Sequence, residues 1–455
     1  MDPLQYLFSL EKLGIKFGLD NIRSMCAGLG SPQHSFQSIL IAGTNGKGSV
    51  TAMVERALRA AGLRTARYTS PHLIRLEERF VVEGEAIDTP AMRDAAGHVQ
   101  RTVERLVRDE QLPAQPTFFE VTTALAFELF RRRNVEIAVL EVGLGGRFDA
   151  TNVVAPIATA ITSIDLDHQA LLGSTLADIA FEKAGIVKPG VPLVLGETKP
   201  EAVDVIGRVC RERGAPLIHA ASGVQMRSQF EADGRLTIGL TTPRRQYGTT
   251  ALSLRGRHQA TNALTAVRVL EELATGTIPE AAIVTGISDV RWPGRLDLVE
   301  AGAGRSVLLD SAHNPAGAAA LASYLGEAHH ERLPIVFAAM HDKDAQGMFL
   351  ALRPRASAFV LTAPHVDRAT PPQALARVAA RVAAGVPTFT APDAEAALTR
   401  AWQLGPTVCA TGSIFLIGEI LLFFEQCARS QPGAPHAAPA LGTPQPGAID
   451  PTFSR

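Results

Sequence analysis

The segment from Ile41 to Val50, IAGTNGKGSV, has the residue types and spacing of a loop that binds phosphate. It lies between an apolar stretch at 38–42, which predicts a strand, and an amphipathic stretch at 50–61, which predicts a helix. Its glycines would allow backbone N–H groups to approach an anion, and Lys47 would add a full positive charge. The segment therefore predicts a site for nucleotide phosphates. The alternative, a glycine-rich turn with an incidental lysine, leaves the coincidence of strand, loop, lysine and helix unexplained.

The loop departs from the ordinary pattern GxxxxGK[ST], because Gly48 occupies the place where a magnesium-binding hydroxyl normally follows the lysine. A metal ion would then need other ligands. One candidate is Ser49, the adjacent hydroxyl, and another is Ser70 in YTSPHL, where the chain leaves a predicted strand. Considered alone, Ser70 would be interpreted as a turn residue.

A carboxylate occurs at the end of a further apolar strand, predicted at 137–142. Glu141 is followed there by the glycine-rich stretch GLGG. A carboxylate at a strand end beside a phosphate loop is where magnesium is held in many nucleotide-binding proteins. Glu141 would otherwise be a solvated charge, but together with the phosphate loop it predicts a metal ligand.

Polar residues also follow two other predicted strands, at 158–161 and 307–309. Open α/β sheets bind ligands at the carboxyl ends of their strands, which makes the second group a candidate for the site, whereas a lone histidine such as that of the first group is usually structural. The two groups are Asp165, Asp167 and His168 after the first strand and Asp310, His313 and Asn314 after the second.

Two basic residues remain ambiguous from their types alone. Arg295 lies in a segment between predicted domains and could approach phosphate from outside the loop, or it could form an interdomain salt bridge. Lys183 follows Glu182 on a predicted helix, where a solvated charge and a site role cannot be distinguished.

Apolar runs of strand length alternate with amphipathic helical stretches through most of the chain, which predicts an α/β fold with a largely parallel sheet. Further strands are predicted at 335–338 and 359–361, and short strands with turns at 226–254. Pro293 and Gly294 interrupt the pattern before a fresh series of β–α units. We therefore expect domains at 1–293 and 294–428, followed by a disordered Pro/Ala/Gly-rich tail at 429–455.

Composition excludes several classes of protein. The 455 residues carry 44 Lys and Arg against 45 Asp and Glu, so no basic excess indicates nucleic acid or a membrane surface as a partner. The four cysteines lack any CxxC or Cys/His spacing, which argues against a zinc module or a disulfide scaffold. No signal-peptide layout, membrane-length apolar run or heptad pattern is present. We expect a cytoplasmic monomer that acts on small molecules.

Eight segments that follow one another along the chain resemble the folylpolyglutamate synthases, including the bifunctional dihydrofolate synthase form, within the Mur ligase superfamily. The resemblance spans about residues 4 to 425, and its motifs make it far more specific than a phosphate loop alone. The segments are GTNGKGS, YTSPHL, PTFFEVTTALAF, EVGLGGRFDATN, DHQALLGSTLADIAFEKAGIVKPG, GRHQATNA, WPGRLD and DSAHNP.

This resemblance implies an N-terminal P-loop ATPase domain with a mainly parallel sheet and a C-terminal Rossmann-like α/β domain, with ATP between them. It also implies an ATP-dependent carboxylate–amine ligase that adds L-glutamate to folates and to dihydropteroate through an acyl phosphate. The implied cofactors are two Mg²⁺ ions, with ATP as co-substrate and Lys183 carbamylated. A carbamate would convert that cation into an anionic oxygen ligand for the second ion.

By the same resemblance, each candidate residue acquires a role. The residues implied to bind ATP are Gly43, Thr44, Asn45, Gly46, Lys47, Gly48, Ser49, Asn262, Arg295 and Asp310. Those implied to hold magnesium are Ser49, Ser70, Glu141, His168 and carbamylated Lys183. Those implied to be catalytic are Lys47, Lys183, His168 and His313.

Two further segments match positions that bind dihydropteroate in bifunctional members. They are Thr117, Phe118, Phe119 and Glu120, and then Phe148, Asp149 and Ala150. An aromatic pair suits stacking on a pterin, but simple core packing explains Phe118 or Phe119 equally well.

Two other functions remain open from the sequence. A ligase of the cell-wall branch would extend a nucleotide-linked muramyl peptide, although FFEVTTALAF and Gly48 favour the folate branch. A nucleotide-dependent switch would use ATP to set the angle between domains without ligation, which the phosphate loop alone permits.

Overall fold

The computed structural model describes residues 2–429 apart from 15, 17, 274 and 275. The tail predicted to be disordered therefore lies outside the described residues from position 430 onward. Arg429, its predicted first residue, ends a helix instead.

Strands and helices alternate along the chain. The strands are β1 (Gln37–Ala42), β2 (Thr65–Tyr68), β3 (Phe80–Val82), β4 (Glu85–Ala86), β5 (Ile137–Glu141), β6 (Ala158–Ile161), β7 (Leu193–Leu195), β8 (Leu217–His219), β9 (Gln225–Phe230), β10 (Leu236–Thr241), β11 (Gln246–Ala251), β12 (Asp297–Glu300), β13 (Ser306–Leu309), β14 (Leu333–Phe337), β15 (Ala356–Leu361), β16 (Thr388–Thr390) and β17 (Thr407–Thr411). The helices are α1 (Pro3–Ser9), α2 (Asp20–Gly28), α3 (Lys47–Ala60), α4 (Thr89–Arg108), α5 (Phe118–Arg132), α6 (Gln169–Leu172), α7 (Leu176–Lys183), α8 (Pro200–Arg213), α9 (His258–Glu271), α10 (Glu280–Ser288), α11 (Pro315–Ala328), α12 (Ala345–Leu352), α13 (Pro372–Val382), α14 (Ala394–Trp402) and α15 (Ile414–Arg429).

The first sheet has eight strands in the order β4-β3-β2-β5-β1-β6-β7-β8. The six strands β2, β5, β1, β6, β7 and β8 are parallel to one another. At the edge of the sheet, β3 pairs antiparallel with β2, and β4 pairs antiparallel with β3. Residues of β1 alternate between two hydrophobic clusters, with Leu40 on one face of the sheet and Ile39 and Ile41 on the other. Burial on both faces explains why these strands are continuous apolar runs.

A second, six-stranded sheet begins at β12, in the order β12-β13-β17-β14-β15-β16, and only β12 runs antiparallel. Between the two large sheets, β9 to β11 form a three-stranded antiparallel sheet. The predicted α/β class with mainly parallel sheets is confirmed, and strands occur in each region where we expected them. The domain boundary near 294 stays a prediction, although the change of sheet falls between β11 and β12.

The predicted helix at 50–61 begins earlier, at Lys47. Gly46 precedes it with a φ of +87°, which is the left-handed conformation that glycine adopts without strain. The apolar periodicity starts only at Val50, so it could not reveal a polar first turn. Lys47 therefore lies on the helix itself, and the N-terminal amides of α3 face the loop.

No helix among the described residues combines the length and the apolar character needed to cross a bilayer.

Candidate active site

The phosphate loop joins the end of β1 to the start of α3. Gly43 has a φ of +147°, and a Cβ there would lie 1.9 Å from Oγ1 of Thr162. A Cβ on Gly46 would lie 2.4 Å from Oδ1 of Asn262. The loop is therefore held between two polar side chains that leave room only for glycine, whereas a contact of Asn262 with ATP stays a prediction.

Lys47 curls back over its own loop. Its Nζ donates to the carbonyl oxygens of Gly43 (3.1 Å) and Thr44 (3.2 Å). Burial lowers the pKa of Lys47, while the charges of Glu141 and Asp167 oppose that shift. The ammonium group is thus held at the loop by two backbone oxygens, and the charges of Glu141 and Asp167 favour its protonated form.

The segment after β6 braces the loop from the side. The Thr44 amide donates to the carbonyl oxygen of Ser163 (2.6 Å), and the Asn45 amide donates to Oγ of Ser163 (3.1 Å). The Asn45 side chain donates to Oδ2 of Asp165 (3.1 Å). Thr44 and Asn45 therefore fix the loop's shape in this structure.

Glu141 ends β5 directly beside the phosphate loop, because it pairs in register with Ile41 of β1. The side chain is only 6% exposed, and Oε2 accepts the Ser70 amide at 3.3 Å. Burial raises the pKa of Glu141, and the charge of Lys47 counteracts it. A buried carboxylate with this single amide donor is a suitable ligand for a cation.

Ser49 lies in the first turn of α3 and is buried. The described residues contain no group of three or more His, Cys, Asp and Glu side chains that could hold a metal ion by themselves. A divalent ion at this site would consequently need serine hydroxyls, phosphate oxygens or a modified side chain beside Glu141.

Asp167 joins the two large sheets. Lys343, in the segment between β14 and α12, donates to Oδ1 of Asp167 at 2.5 Å. Asn314 donates to Oδ2 at 3.2 Å, and Nε2 of His313 lies 3.5 Å from the same oxygen. Burial alone would raise the pKa of Asp167, but the bond with His313 and the charge of Lys343 hold it well below its usual range.

His168 takes part in the same cluster. Its Nε2 accepts from Nζ of Lys343 at 3.2 Å, and its backbone φ is +50°, in the left-handed region. Burial lowers the pKa of His168 to about 4, so the ring is neutral near pH 7. A neutral imidazole beside a cation is the form of histidine that also binds metals.

Lys343 and Asp167 are functional candidates that the sequence interpretation did not assign to the site. Asp167 was noted only as one of several polar residues after β6. Lys343 lies in HDKD, after strand β14, so the rule that ligands bind at the carboxyl ends of strands could have found it. A run of mixed charges more often indicates a solvated turn, which hid the signal.

Lys183 ends α7 and is only 5% exposed. Its Nζ donates to the Gly43 carbonyl oxygen at 2.7 Å, so it touches the phosphate loop at the same oxygen that accepts from Lys47. Burial lowers the pKa of Lys183 to about 7, and the nearby charge of Lys47 acts in the same direction. Of the two alternatives for Lys183, a solvated charge and a site role, its burial excludes the solvated charge.

Asp310 and Arg295 meet near the end of β13. The Asp310 carboxylate accepts the backbone amides of Leu296 and Ala312, each at 3.0 Å. Burial raises its pKa, and the charge of Arg295 opposes that rise. Nδ1 of His313 lies 3.0 Å from the Ser311 carbonyl oxygen, which leaves Nε2 directed toward Asp167. His313 thus reaches Asp167 after β6, and the charge of Arg295 acts on Lys47 of the loop.

Thr117 and Glu120 form a capping box at the start of α5. The Thr117 amide and Oγ1 donate to Oε2 of Glu120 at 2.8 and 2.9 Å, and the Glu120 amide donates to Thr117 Oγ1 at 3.2 Å. These bonds satisfy helix-terminal groups and supply a structural reason for both residues.

Asp149 has a comparable local role. It is buried and accepts the amides of Leu144 (2.9 Å) and Thr151 (3.0 Å), and burial raises its pKa. Ala150 is buried beside it. These bonds fix the turn that carries Phe148.

The three phenylalanines differ in their surroundings. Phe119 lies against Gly143, where a Cβ would be 2.5 Å from its ring. Phe118 stacks on Phe8 with ring centroids 6.5 Å apart. Phe148 is 37% exposed, and the Arg147 guanidinium lies 4.6 Å from its ring centroid. Packing therefore accounts for Phe118 and Phe119 in part, whereas Phe148 presents an accessible aromatic surface.

Comparison with known proteins gives matches along most of the chain. The Mur ligase middle domain matches residues 41–270, and the Mur ligase glutamate ligase domain matches residues 294–414. A dihydrofolate synthase/folylpolyglutamate synthase from Bacillus subtilis is 36% identical over 77% of this chain and 82% of its own length. The chain spans about half the length of a longer relative from Haloferax volcanii, a probable bifunctional folylpolyglutamate synthase/dihydropteroate synthase that is 35% identical.

Solved structures agree with these matches. Mycobacterium tuberculosis folylpolyglutamate synthase complexed with ADP is 33% identical, covers 93% of this chain and 99% of its own, and superposes with a TM-score of 0.86. A bifunctional folylpolyglutamate synthase/dihydrofolate synthase with Mn, AMPPNP and L-glutamate bound is 28% identical over 93% of this chain and 98% of its own, with a TM-score of 0.80. This chain therefore belongs to the folylpolyglutamate synthase/dihydrofolate synthase family of Mur ligases.

Proposed function

We propose that this chain catalyses the ATP-dependent addition of L-glutamate to a folate carboxylate, and that dihydropteroate is a second acceptor. The observation that carries the proposal is the position of Lys47. Its ammonium lies on a glycine-lined loop, near the buried carboxylates of Glu141 and Asp167, where residues of the second sheet meet the first. Such a site can hold a triphosphate and bring an anionic acceptor next to it.

The reaction transfers the γ-phosphoryl group of ATP to a carboxylate oxygen, giving ADP and an acyl phosphate. The amine nitrogen of glutamate then attacks the carbonyl carbon, the C–O bond to phosphate breaks, and inorganic phosphate and a proton are released. Lys47 offsets the repulsion between the γ-phosphate and the incoming carboxylate. The contacts of Asn314 and Lys343 with Asp167 hold the second sheet over the loop, which would limit the access of water to the acyl phosphate.

We assign the ATP contacts to Gly43 through Ser49, with Asn262, Arg295 and Asp310 completing the site. The amides at the start of α3 face the loop and suit phosphate oxygens. Arg295 supports this role because its charge acts on both Lys47 and Glu141.

We propose that two magnesium ions bind at this site. Ser49, Ser70, Glu141 and His168 would supply ligands, and carbamylated Lys183 would supply an oxygen for the second ion. Magnesium, when bound, would neutralise part of the charge on the triphosphate. The buried Glu141 carboxylate and the neutral His168, which already faces the ammonium of Lys343, are both suited to a cation.

Carbamylation of Lys183 is chemically reasonable because the amine is partly neutral near pH 7. The neutral nitrogen attacks CO₂, an N–C bond forms, and one proton leaves to solvent. The carbamate keeps an N–H that can still donate to Gly43, and its negative charge would attract Lys47 where the ammonium repels it.

We propose that the pterin ring of the acceptor lies near Phe148, with Phe118 and Phe119 bordering it. The backbone around the ring would be shaped by Thr117, Glu120, Asp149 and Ala150. His313 would act at the phosphates, since its Nε2 points to the Asp167 cluster. The expectations of a monomer, a cytoplasmic location and no nucleic-acid or membrane partner stay predictions.

The test is to incubate the purified chain with ATP, Mg²⁺ and L-glutamate and with dihydropteroate, tetrahydrofolate or a nucleotide-linked muramyl peptide in separate reactions. We expect stoichiometric ADP and a product heavier by one glutamyl residue with the first two acceptors. Product with only the muramyl peptide would identify a cell-wall ligase. ATP hydrolysis that ignores every acceptor would instead support a nucleotide-dependent switch.

A further inference from the structure

The residue after the phosphate-loop lysine faces an indole ring. A Cβ on Gly48 would lie 2.6 Å from Cζ2 of Trp292, 3.0 Å from Cε2 and 3.1 Å from Nε1. Real Cβ atoms do not approach a ring so closely, so any side chain at 48 would force Trp292 or the first turn of α3 to move. The missing hydroxyl in the loop therefore has a steric cause, since the Trp292 ring lies in the direction a side chain at 48 would take.

Trp292 has little freedom to move away. The Arg67 guanidinium lies 5.2 Å from its ring centroid, and Arg67 itself pairs with the buried carboxylate of Glu55 at 3.5 Å. Trp292 also packs against the hydrophobic cluster that includes Val50 and Met53 of α3.

The segment that carries Trp292 is fastened to α3 on its N-terminal side. At Gly286 of α10, a Cβ would lie 2.6 Å from Cβ of Ala57 and 2.7 Å from the Met53 carbonyl oxygen, so the two helices are in close contact. Arg56 and Asp289 form an ion pair at 2.6 Å. The ring is therefore held beside the phosphate loop by the element that precedes it.

On its C-terminal side the same segment reaches the second sheet. The Gly294 carbonyl oxygen accepts the Ser311 amide at 2.9 Å, and the Leu296 amide donates to Oδ2 of Asp310 at 3.0 Å. Trp292 thus lies between the lysine-bearing turn of α3 and the residues that approach the nucleotide from the other domain.

We propose that Trp292 is a positioning residue for nucleotide binding: its indole occupies the space beside Gly48 and holds the first turn of α3, with Lys47, against the segment that carries Arg295. The proposal rests on the nucleotide site described under the proposed function. It assigns no contact between Trp292 and ATP.

The test is a double-mutant comparison of ADP affinity, measured by calorimetry on the full chain. We expect Gly48→Ala to weaken ADP binding by about tenfold or more, because the new methyl overlaps the ring. Trp292→Ala alone should weaken it by roughly threefold, because the turn loses its support. In Gly48→Ala/Trp292→Ala the methyl has room, so we expect an affinity within about threefold of the Trp292→Ala value.

Gly207→Ala is the matched control, since a Cβ there would approach only Arg211 at 3.5 Å and Leu217 at 3.8 Å. It should change ADP affinity little, with or without Trp292→Ala. Thermal melting checks that each variant is folded; if Gly48→Ala does not fold, recovery of folding in the double variant serves as the same test. Equal affinities for Gly48→Ala and wild type, or losses that simply multiply in the double variant, would overturn the inference. Failure of the wild type to bind ADP would instead count against the proposed function.

Discussion

The two sides of the candidate site are built in different ways. The phosphate loop comes from consecutive residues of one strand–loop–helix unit, and its shape is fixed by glycine conformations and backbone bonds. The cluster around Asp167 is assembled from three separate segments, so that Lys343, His313 and Asn314 all reach one carboxylate of the first sheet. The loop supplies anion binding locally, whereas the cluster exists only when the two sheets meet.

Removal of the Lys47 charge tests the role of the phosphate loop. Lys47→Ala should lower kcat by about 10³-fold, because the γ-phosphate and the incoming carboxylate would then repel each other without its charge between them. Measurement of glutamate ligation with ATP at saturating acceptor would detect this. The exposed Lys16→Ala is the matched control and should retain full activity; near-normal turnover in Lys47→Ala would refute the assignment of the loop.

Lys183 tests whether the loop side depends on a modification. With a pKa of about 7 against 10.5 for a free lysine, its neutral fraction and hence its carbamate should increase as pH rises through 7. Lys183→Ala should reduce activity roughly 100-fold through loss of a metal ligand. A carbamate carbon signal from ¹³C-bicarbonate should be present in wild type and in Lys188→Ala but absent in Lys183→Ala.

The same shift affects stability. Between pH 7 and about 10.5 the unfolded chain binds a proton at Lys183 that the folded chain does not, so unmodified protein should become more stable as pH rises across this window. Lys183→Met should flatten that dependence in denaturant titrations performed without bicarbonate. In the labelling experiment with ¹³C-bicarbonate, a carbamate signal that persists in Lys183→Ala would contradict the assignment of the carbamate to Lys183.

The cluster side should respond mainly in stability. Lys343→Met leaves the Asp167 charge buried without its main cation, which should cost about 2 kcal/mol of unfolding free energy. Asp167→Asn/Lys343→Met should recover part of that loss, because no uncompensated charge remains. Thermal melting of both variants measures the difference in stability. A double variant that is less stable than Lys343→Met would show that the unpaired Asp167 charge does not cause the loss of stability.

The smallest expected effect is at Thr117, whose hydrogen bonds with Glu120 cap the start of α5. Thr117→Ala should cost about 1 kcal/mol of stability through loss of the cap on α5. If capping is its whole role, KM for dihydropteroate should not change. A large increase in KM with unaltered stability would instead favour direct contact with the acceptor.

The contrast between the two sides also explains what could be predicted from sequence. The positions of the loop, of Glu141 and of the parallel strands depend on neighbouring residues and on apolar runs, so the sequence predicts them, while the ATP and metal roles stay predictions. Thr117 and Glu120 form the pattern TFFE before an apolar run, so their capping role was readable from spacing, but it was considered only as a ligand contact.

Contacts between distant segments were not readable. The charges of HDKD do not distinguish Lys343 from a solvated turn residue. Only its position after β14 indicated the site, because its partners His168 and Asp167 lie in the distant segment after β6. Likewise Gly48 was recognised as a departure from the usual loop, but its steric cause, Trp292, could be identified only from the fold.

A crystal structure of this chain with a non-hydrolysable ATP analogue and Mn²⁺ would show whether the glycine-rich loop binds the triphosphate. We expect the triphosphate along residues 43–49, with Nζ of Lys47 on its oxygens and an anomalous peak for manganese next to Glu141. A triphosphate bound elsewhere, with no cation near Glu141, would contradict this expectation.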